Sequence, residues 1–257
     1  MEELKVTLVQ SHLHWENPVA NRTHFSSLFD SIEETDIIVL PEMFTTGFSM
    51  NATSLAEKPD GPTVLWMQSE AKKHNAAICG SLIIEDYGLF YNRFFFITPD
   101  GEITTYNKKH TFTLAGEHTV YTAGRNLAMI NYKGWKMRPL ICYDLRFPVW
   151  ARNTDEYDVL LYVANWPDKR VAAWDALLKA RAIENMAYSI GVNRTGLDGN
   201  GHQYTGHSAI YDVLGEQRST AMFEKEFVET ITLSKEHIAK NRKHLQFLKD
   251  ADVFTLE

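Results

Sequence analysis

The sequence predicts an α/β protein made of one domain, and three observations support this prediction. Short apolar runs alternate with segments of helical periodicity along all 257 residues. The run at residues 157–164 is almost entirely apolar, which is typical of a strand buried on both faces. No linker rich in proline, glycine and serine interrupts the chain, so we predict a single domain over residues 1–257.

The first half of the chain is predicted to be a series of strands separated by two helices. Strands are expected at residues 4–10, 36–40, 76–84, 93–98 and 103–106. Helices are expected at residues 17–31 and 63–74, where apolar side chains recur at helical spacing. The turn at residues 99–102 has proline followed by glycine, which favours a hairpin between the last two strands.

The second half repeats this alternation. Strands are expected at residues 127–132, 136–141, 157–164, 189–193, 208–211 and 227–232, and helices at residues 147–153 and 172–185. Glycine-containing turns at residues 133–135 and 212–215 each predict a hairpin. The pattern therefore indicates helices that cover a mixed sheet system.

Composition excludes several classes of partner. The net charge is −7, and a mildly acidic surface binds nucleic acids and anionic membranes poorly. No apolar run approaches the length of a membrane span, and the N-terminus lacks the pattern of a secretion signal. The 2 cysteines cannot form a disulfide framework, so we expect a reduced, cytoplasmic protein.

Three reactive side chains stand where predicted strands end. Cys142 follows one apolar run and precedes polar and charged residues, Glu42 follows a second run, and Lys108 follows a third. Cys79 lies within an apolar segment and is expected to be a small, buried hydrophobic residue. A thiol, a carboxylate and an amine at strand ends are the components of a thiol amidohydrolase.

Each component has a chemical role in amide hydrolysis. Glu42 can transfer protons, while Lys108 can stabilise the oxyanion and lower the pKa of the thiol. The backbone N–H of Tyr143 can be a second oxyanion donor. Spacing alone leaves alternatives open: Glu42 as a surface or capping carboxylate, Lys108 as a solvated lysine, and a dyad of Cys142 with His110.

Several motifs together identify the chain as similar to the nitrilase superfamily of carbon-nitrogen hydrolases. They lie at residues 39–42, 106–110, 115–118, 142–148 and 180–185, with Gly124. The resemblance implies a four-layer αββα sandwich, a homodimer or a higher homo-oligomer, and no metal or organic cofactor. It also implies that Glu42 is the base, that Lys108 rather than Lys109 is catalytic, that Cys142 is the nucleophile and that Glu117 supports the lysine.

Within that family the chain most resembles bacterial omega-amidases, on the strength of residues 40–48, 162–167 and 196–201. This likeness implies hydrolysis of the terminal amide of a short dicarboxylic monoamide, such as 2-oxoglutaramate or succinamate, through an acyl-enzyme. The alternatives are another carbon-nitrogen hydrolase, such as an N-carbamoyl amino acid amidohydrolase, and a non-catalytic binding protein. A true nitrilase would resemble Cys-Trp-Glu at the nucleophile, where this chain has Cys-Tyr-Asp.

The substrate is expected to be a small amide held by residues near the nucleophile. We predict that Tyr143 and Trp166 line the pocket and that Arg170 binds the substrate carboxylate. Asp144 and Arg146 are expected to hold the nucleophile turn in place. His12 and His14 form a pair with no third ligand near them in sequence, so they are expected to be surface histidines and no metal is predicted.

Overall fold

The computed structural model describes residues 2–256. The strands are β1 (Glu3–Gln10), β2 (Ile37–Val39), β3 (Ala77–Asp86), β4 (Leu89–Ile97), β5 (Ile103–Asn107), β6 (Ile130–Tyr132), β7 (Trp135–Ile141), β8 (Val159–Ala164), β9 (Tyr188–Asn193), β10 (Thr195–Leu197), β11 (Gln203–Thr205), β12 (Ala209–Tyr211) and β13 (Phe227–Ser234). The α-helices are α1 (Pro18–Phe29), α2 (Ala52–Leu55), α3 (Pro62–His74), α4 (Glu117–Val120), α5 (Pro148–Ala151), α6 (Val171–Asn185) and α7 (Lys235–Leu245).

These strands form two large sheets and one short hairpin. The six-stranded sheet has the order β13-β1-β2-β3-β4-β5, and the five-stranded sheet has the order β12-β9-β8-β7-β6. The central pairs β1–β2, β2–β3, β7–β8 and β8–β9 are parallel, whereas the flanking pairs are antiparallel. β10 and β11 pair with each other. The central strands of both sheets thus end together, which is where α/β proteins place their sites.

Alternation along the strands divides the apolar side chains between two cores. In β2, Ile37 and Val39 belong to the core shared by the two sheets, while Ile38 belongs to a second core with helix residues. Phe25 of α1 and Met67 of α3 fill this second core. The six-stranded sheet is therefore covered by α1 and α3 on one face and by the five-stranded sheet on the other.

The five-stranded sheet carries α6 on its outer face. Gly191 of β9 lies beneath this helix, and a Cβ there would lie 2.5 Å from Leu178 and 2.7 Å from Trp174. Only glycine allows the helix to approach so closely. The resulting order of layers, helices, sheet, sheet and helix, is that of the expected αββα sandwich.

Most predicted elements are present, with ends that differ by a few residues. Helix α1 begins at Pro18 because Asn17 caps it, its side-chain oxygen accepting a hydrogen bond from the N–H of Ala20 at 3.1 Å. The hairpins at residues 99–102, 133–135 and 212–215 are confirmed. The hairpin β10–β11 was not predicted, because its strands have only 3 residues each. None of the helices within residues 2–256 combines the length and apolarity needed to cross a bilayer.

Candidate active site

Cys142 stands directly after β7, at the first position of a 3₁₀ turn that spans Cys142–Arg146. Its φ is 44°, a left-handed conformation that non-glycine residues rarely adopt. Met43, the residue after Glu42, has a similar φ of 43°. Such conformations persist only where the surrounding structure enforces them, and they cluster at functional sites.

Asp144 is the residue that enforces the turn. Its carboxylate accepts hydrogen bonds from the N–H of Ile141 at 3.0 Å and the hydroxyl of Tyr106 at 2.8 Å. It also accepts one from the N–H of His110 at 3.0 Å. Arg181 donates to the carbonyl of Leu145 at 2.6 Å. The expectation that Asp144 holds the nucleophile turn is thus confirmed, and the same carboxylate ties the turn to the loop that carries Lys108.

The ring of His110 contacts Asp144 and Phe147. Its Nδ1 lies 2.7 Å from Oδ1 of Asp144, and the ring stacks on Phe147 with centroids 3.7 Å apart. His110 also does not line the cavity into which Cys142 opens. This geometry favours a supporting role for His110 over a dyad with Cys142.

Lys108 follows β5 and is enclosed by two carboxylates. Its Nζ donates to Oε1 of Glu42 at 2.9 Å and lies 3.0 Å from both carboxylate oxygens of Glu117. All three side chains are almost completely buried, with exposed fractions of 0% for the two glutamates and 1% for the lysine. An ammonium has three donors, so a single N–H shared between the two oxygens of Glu117 leaves one donor for the cavity.

Two asparagines complete this cluster. Asn92 donates from Nδ2 to Glu42 at 2.8 Å and to Glu117 at 3.3 Å. Asn165 donates from its backbone N–H to Oε2 of Glu42 at 2.8 Å. Sequence reasoning assigned no role to either residue. Asn165 directly follows the apolar strand at residues 157–164, so its position at a strand end was the signal available; Asn92 lies within a strand and gave no signal.

Burial and charge determine the protonation of the thiol. Burial raises the pKa of Cys142 well above its usual value, the charge of Glu42 raises it further, and Lys108 lowers it without reversing the direction. The contribution of Lys108 to the thiol pKa therefore has the expected sign, although the net shift is upward. The raised pKa favours the protonated thiol at neutral pH. Burial alone also raises the pKa of Cys79, which lies in the core.

The charges of the other groups follow from the same physics. Burial alone would lower the pKa of Lys108, but the carboxylates of Glu117 and Glu42 outweigh it and raise the pKa above its usual value. Burial raises the pKa of Glu117, and Lys108 opposes this rise. Lys108 therefore stays charged as an ammonium throughout the neutral pH range.

Cys142 and Lys108 open into one cavity of about 230 Å³. The predicted pocket residues Tyr143, Trp166 and Arg170 all line it. The other lining residues are Phe48, Met50, Phe112, Ala115, Arg146, Asn165, Pro167, Asp198, Asn200, His202 and Tyr204. The cavity is large enough for a short, linear substrate whose reacting carbon lies at the thiol.

Two arginines give the cavity a positive character. The guanidinium of Arg146 lies 4.8 Å from the ring centroid of Trp166, and that of Arg170 lies 5.1 Å from the ring centroid of Phe112. Within residues 2–256 neither guanidinium pairs with a carboxylate. The guanidinium of Arg146 thus contacts a residue of the cavity, and the expectation that Arg146 holds the nucleophile turn stays a prediction.

The hairpin β10–β11 forms one wall of the cavity, which sequence reasoning missed. Asp198 shapes the loop by accepting hydrogen bonds from the N–H groups of Asn200 and His202, both at 2.9 Å. The hydroxyl of Tyr204 donates to the same carboxylate at 2.9 Å. The guanidinium of Arg194 packs on the Tyr204 ring at 4.7 Å. Hydrogen bonds to one carboxylate thus connect the loop and strand β11 of this wall.

Comparisons with known proteins identify similar hydrolases and amidases. Residues 5–242 match the family model "Carbon-nitrogen hydrolase". Over 256 residues the chain is 45% identical to "Omega-amidase YafV" of Yersinia enterocolitica, covering 100% of both chains. It is 37% identical over 188 residues to "2-oxoglutaramate amidase" of Bacillus subtilis, covering 71% of this chain and 72% of that protein.

A solved structure shares the whole architecture. The crystal structure of XC1258 from Xanthomonas campestris, described as a CN-hydrolase superfamily protein with an arsenic adduct in its active site, aligns with a TM-score of 0.97. It is 41% identical and the alignment covers 100% of both chains. Nit3 of Saccharomyces cerevisiae, a nitrilase superfamily member, shares the fold with a TM-score of 0.84 over 95% of this chain and 94% of its own. The sandwich fold is confirmed, and the chain belongs to the carbon-nitrogen hydrolase family.

Proposed function

We propose that this protein is an omega-amidase, which hydrolyses the terminal amide of a short dicarboxylic monoamide to the acid and ammonia. The observation that carries the proposal is one cavity lined by Cys142, by Lys108 and by two arginines. Among the described residues 2–256, neither arginine forms an ion pair with a carboxylate. Cys142 and Lys108 supply the chemistry of amide cleavage, while Arg146 and Arg170 suit the free carboxylate of the substrate. The full-length likeness to omega-amidases supports the same activity.

The first half of the reaction forms an acyl-enzyme. Cys142 is protonated at rest, so Glu42 takes the thiol proton as the sulfur attacks the amide carbon. The remaining N–H of Lys108 and the backbone N–H of Tyr143 stabilise the oxyanion of the tetrahedral intermediate. When the C–N bond breaks, Glu42 returns the proton to the nitrogen, and ammonia leaves a thioester on Cys142.

The second half reverses these roles with water in place of ammonia. Glu42 removes a proton from a water molecule that attacks the thioester carbon, and the same donors stabilise the second oxyanion. The C–S bond then breaks and the thiol regains its proton. Glu117 acts through Lys108, because it keeps the ammonium charged and fixes its position.

A panel of substrates tests the proposed activity. We expect ammonia release from 2-oxoglutaramate and succinamate to exceed that from a neutral short amide, a nitrile and an N-carbamoyl amino acid. The Cys142→Ala variant is expected to be inactive, and the Cys79→Ala variant to stay within a few-fold of wild type. Faster turnover of the N-carbamoyl amino acid would assign a different reaction, and stoichiometric thiol labelling without turnover of any amide would indicate a binding protein.

We propose that Arg170 holds the substrate carboxylate. The loss of a charge-assisted contact costs about 1.5–3 kcal/mol, which corresponds to about 10–150-fold in kcat/KM. Arg170→Ala should therefore raise KM for succinamate much more than for the neutral amide. Arg146→Ala tests the alternative candidate, since both guanidiniums line the cavity. A selective loss in the Arg146 variant alone would transfer the role to that residue.

We further propose that the protein works as a homodimer in the cytoplasm. Val149, Ile183 and Leu214 expose apolar side chains on α5, on α6 and in the turn after β12, and these suit a contact with a second copy. Light scattering is expected to give twice the chain mass, and a monomer mass would contradict the proposal. Fractionation of the native host would test the compartment.

A further inference from the structure

A cluster of histidines lies at the end of β1, outside the active-site cavity. His12 follows β1, His24 lies on α1, and Glu226 immediately precedes β13. The ligand atoms of these three residues, one from each side chain, all lie within 4.8 Å of one another. His14 is adjacent, with its ring centroid 4.9 Å from that of His12 and 5.7 Å from that of His24. The fold thus supplies the ligands that His12 and His14 lack in sequence.

Four polar groups surround one oxygen in this cluster. Oε1 of Glu226 lies 2.5 Å from Oγ of Ser11, 3.0 Å from the N–H of His12, 2.8 Å from Nδ1 of His12 and 2.9 Å from Nε2 of His24. Ser11 and the His12 backbone donate hydrogen bonds to this oxygen, whereas each imidazole nitrogen can offer a lone pair in the appropriate tautomer. Two imidazole nitrogens and one carboxylate are therefore arranged around a common centre.

We propose that His12, His24 and Glu226 bind a divalent transition-metal ion of the zinc type, with His14 beside them as a fourth potential ligand. Two imidazoles and one carboxylate form a set that zinc accepts at metal–ligand distances of about 2.0–2.1 Å. Tetrahedral ligands at that distance are about 3.3 Å apart. The two imidazole nitrogens lie 2.8 and 2.9 Å from Oε1 of Glu226, so these two separations would widen by a few tenths of an ångström, and all three ligand atoms lie within 4.8 Å of one another.

The site would join separate parts of the fold near the active-site wall. β1 pairs with β13 so that Gln10 lies opposite Phe227, which brings His12 and Glu226 together. His12 also forms a bridge with Thr195, at the base of the hairpin β10–β11. A bound ion would therefore link α1, β1 and β13 beside the element that forms one wall of the cavity, without contacting the substrate.

Zinc titration calorimetry tests the proposal. The chelator-treated protein should carry Cys142→Ala, because a thiol in the active site can itself bind zinc. We expect one zinc ion per chain at pH 7.5, and weaker binding at pH 5.5 because protons compete with a metal ion for nitrogen ligands. The absorption of bound Co²⁺ should lack a thiolate band.

Variants of the ligands decide where the ion binds. His12→Ala with His24→Ala should weaken zinc binding by more than about 100-fold, since changes in outer-shell partners alone cost about 10–100-fold. His244→Ala, an exposed histidine on α7, is the matched control and should bind like the parent. Glu226→Gln keeps the shape of the cluster and should also weaken binding, so the test remains decisive if the double variant does not fold. Absence of zinc binding in the parent, or unchanged binding in Glu226→Gln, would overturn the proposal.

Discussion

The charge of Glu42 should have opposite effects on two reactions of the same thiol. Glu42 is proposed to accept the proton of Cys142, yet its negative charge also raises the pKa of that thiol. Glu42→Gln keeps the shape of the side chain and removes both the base and the charge. Amide hydrolysis should then fall by about 10²–10⁴-fold, the contribution typical of a general base. Alkylation of Cys142 by iodoacetamide should become faster.

The size of the increase in alkylation follows from electrostatics. A neighbouring charge shifts a pKa by about 1–3 units, so its removal raises the thiolate fraction at neutral pH by about 10–1000-fold. Thiolate nucleophilicity falls with pKa with a Brønsted coefficient of about 0.5, which reduces the net gain to about 3–30-fold. In the wild type the rate should keep rising with pH beyond neutrality, because the raised pKa keeps the thiol protonated until alkaline pH.

The assay measures alkylation rates between pH 6 and 10, about the range in which thiols titrate. The protein carries Cys79→Ala, so that Cys142 is the remaining cysteine. Cys142→Ala in the same background serves as the blank. Equal or slower alkylation in Glu42→Gln would refute the electrostatic reasoning. A wild-type rate that is already constant at neutral pH would mean that the resting site holds a thiolate, contrary to the burial of the thiol and the charge of Glu42.

Four further substitutions test the lysine loop. Lys108→Ala should lower kcat by about 10²–10³-fold, as for loss of an oxyanion donor, whereas Lys109→Ala should be mild; the reverse order would contradict the assignment. Glu117→Gln should lower kcat/KM by about 10–150-fold, the kinetic equivalent of about 1.5–3 kcal/mol, and unchanged kinetics would show that Lys108 needs only one carboxylate. In Gly124→Ala the new Cβ would lie 2.0 Å from the carbonyl oxygen of Asn107. The melting temperature and kcat should therefore both fall. A fully active variant would show that the loop can move to make room for the methyl group.

The sequence predicted the reacting residues because chemistry and strand ends coincide in this fold. Cys142 and Lys108 each follow a strand directly, and Glu42 follows one closely. Apolar runs are visible in sequence, and so are the polar residues that end them. Spacing could not choose between Lys108 and Lys109 or exclude a dyad with His110. The family resemblance favoured Lys108, and the structure shows His110 bound to Asp144.

Other parts of the site depend on contacts between distant segments, which no local pattern reveals. Asn92 lies within β4 and reaches both glutamates because of the pairing of β3, β4 and β5. Arg146 follows the nucleophile closely in sequence, which suggested a supporting role, and its contact with Trp166 in the wall of the cavity could not be predicted from that spacing. The cluster of His12, His24 and Glu226 was missed for the same reason, since Glu226 is far from His12 in sequence.

The site lies on both sheets, and this arrangement has a consequence for catalysis. Glu42 follows β2 of the six-stranded sheet, while Cys142 and Asn165 follow β7 and β8 of the five-stranded sheet. Asn165 donates its backbone N–H to the carboxylate of Glu42 and its side-chain amide to the Glu42 carbonyl, so the two sheets are hydrogen-bonded to each other at the base itself. The distance between base and nucleophile is therefore set by how closely the sheets pack. Because a displacement of about 1 Å can cost about 10²-fold in rate, the apolar core between the sheets acts on catalysis through geometry as well as on stability.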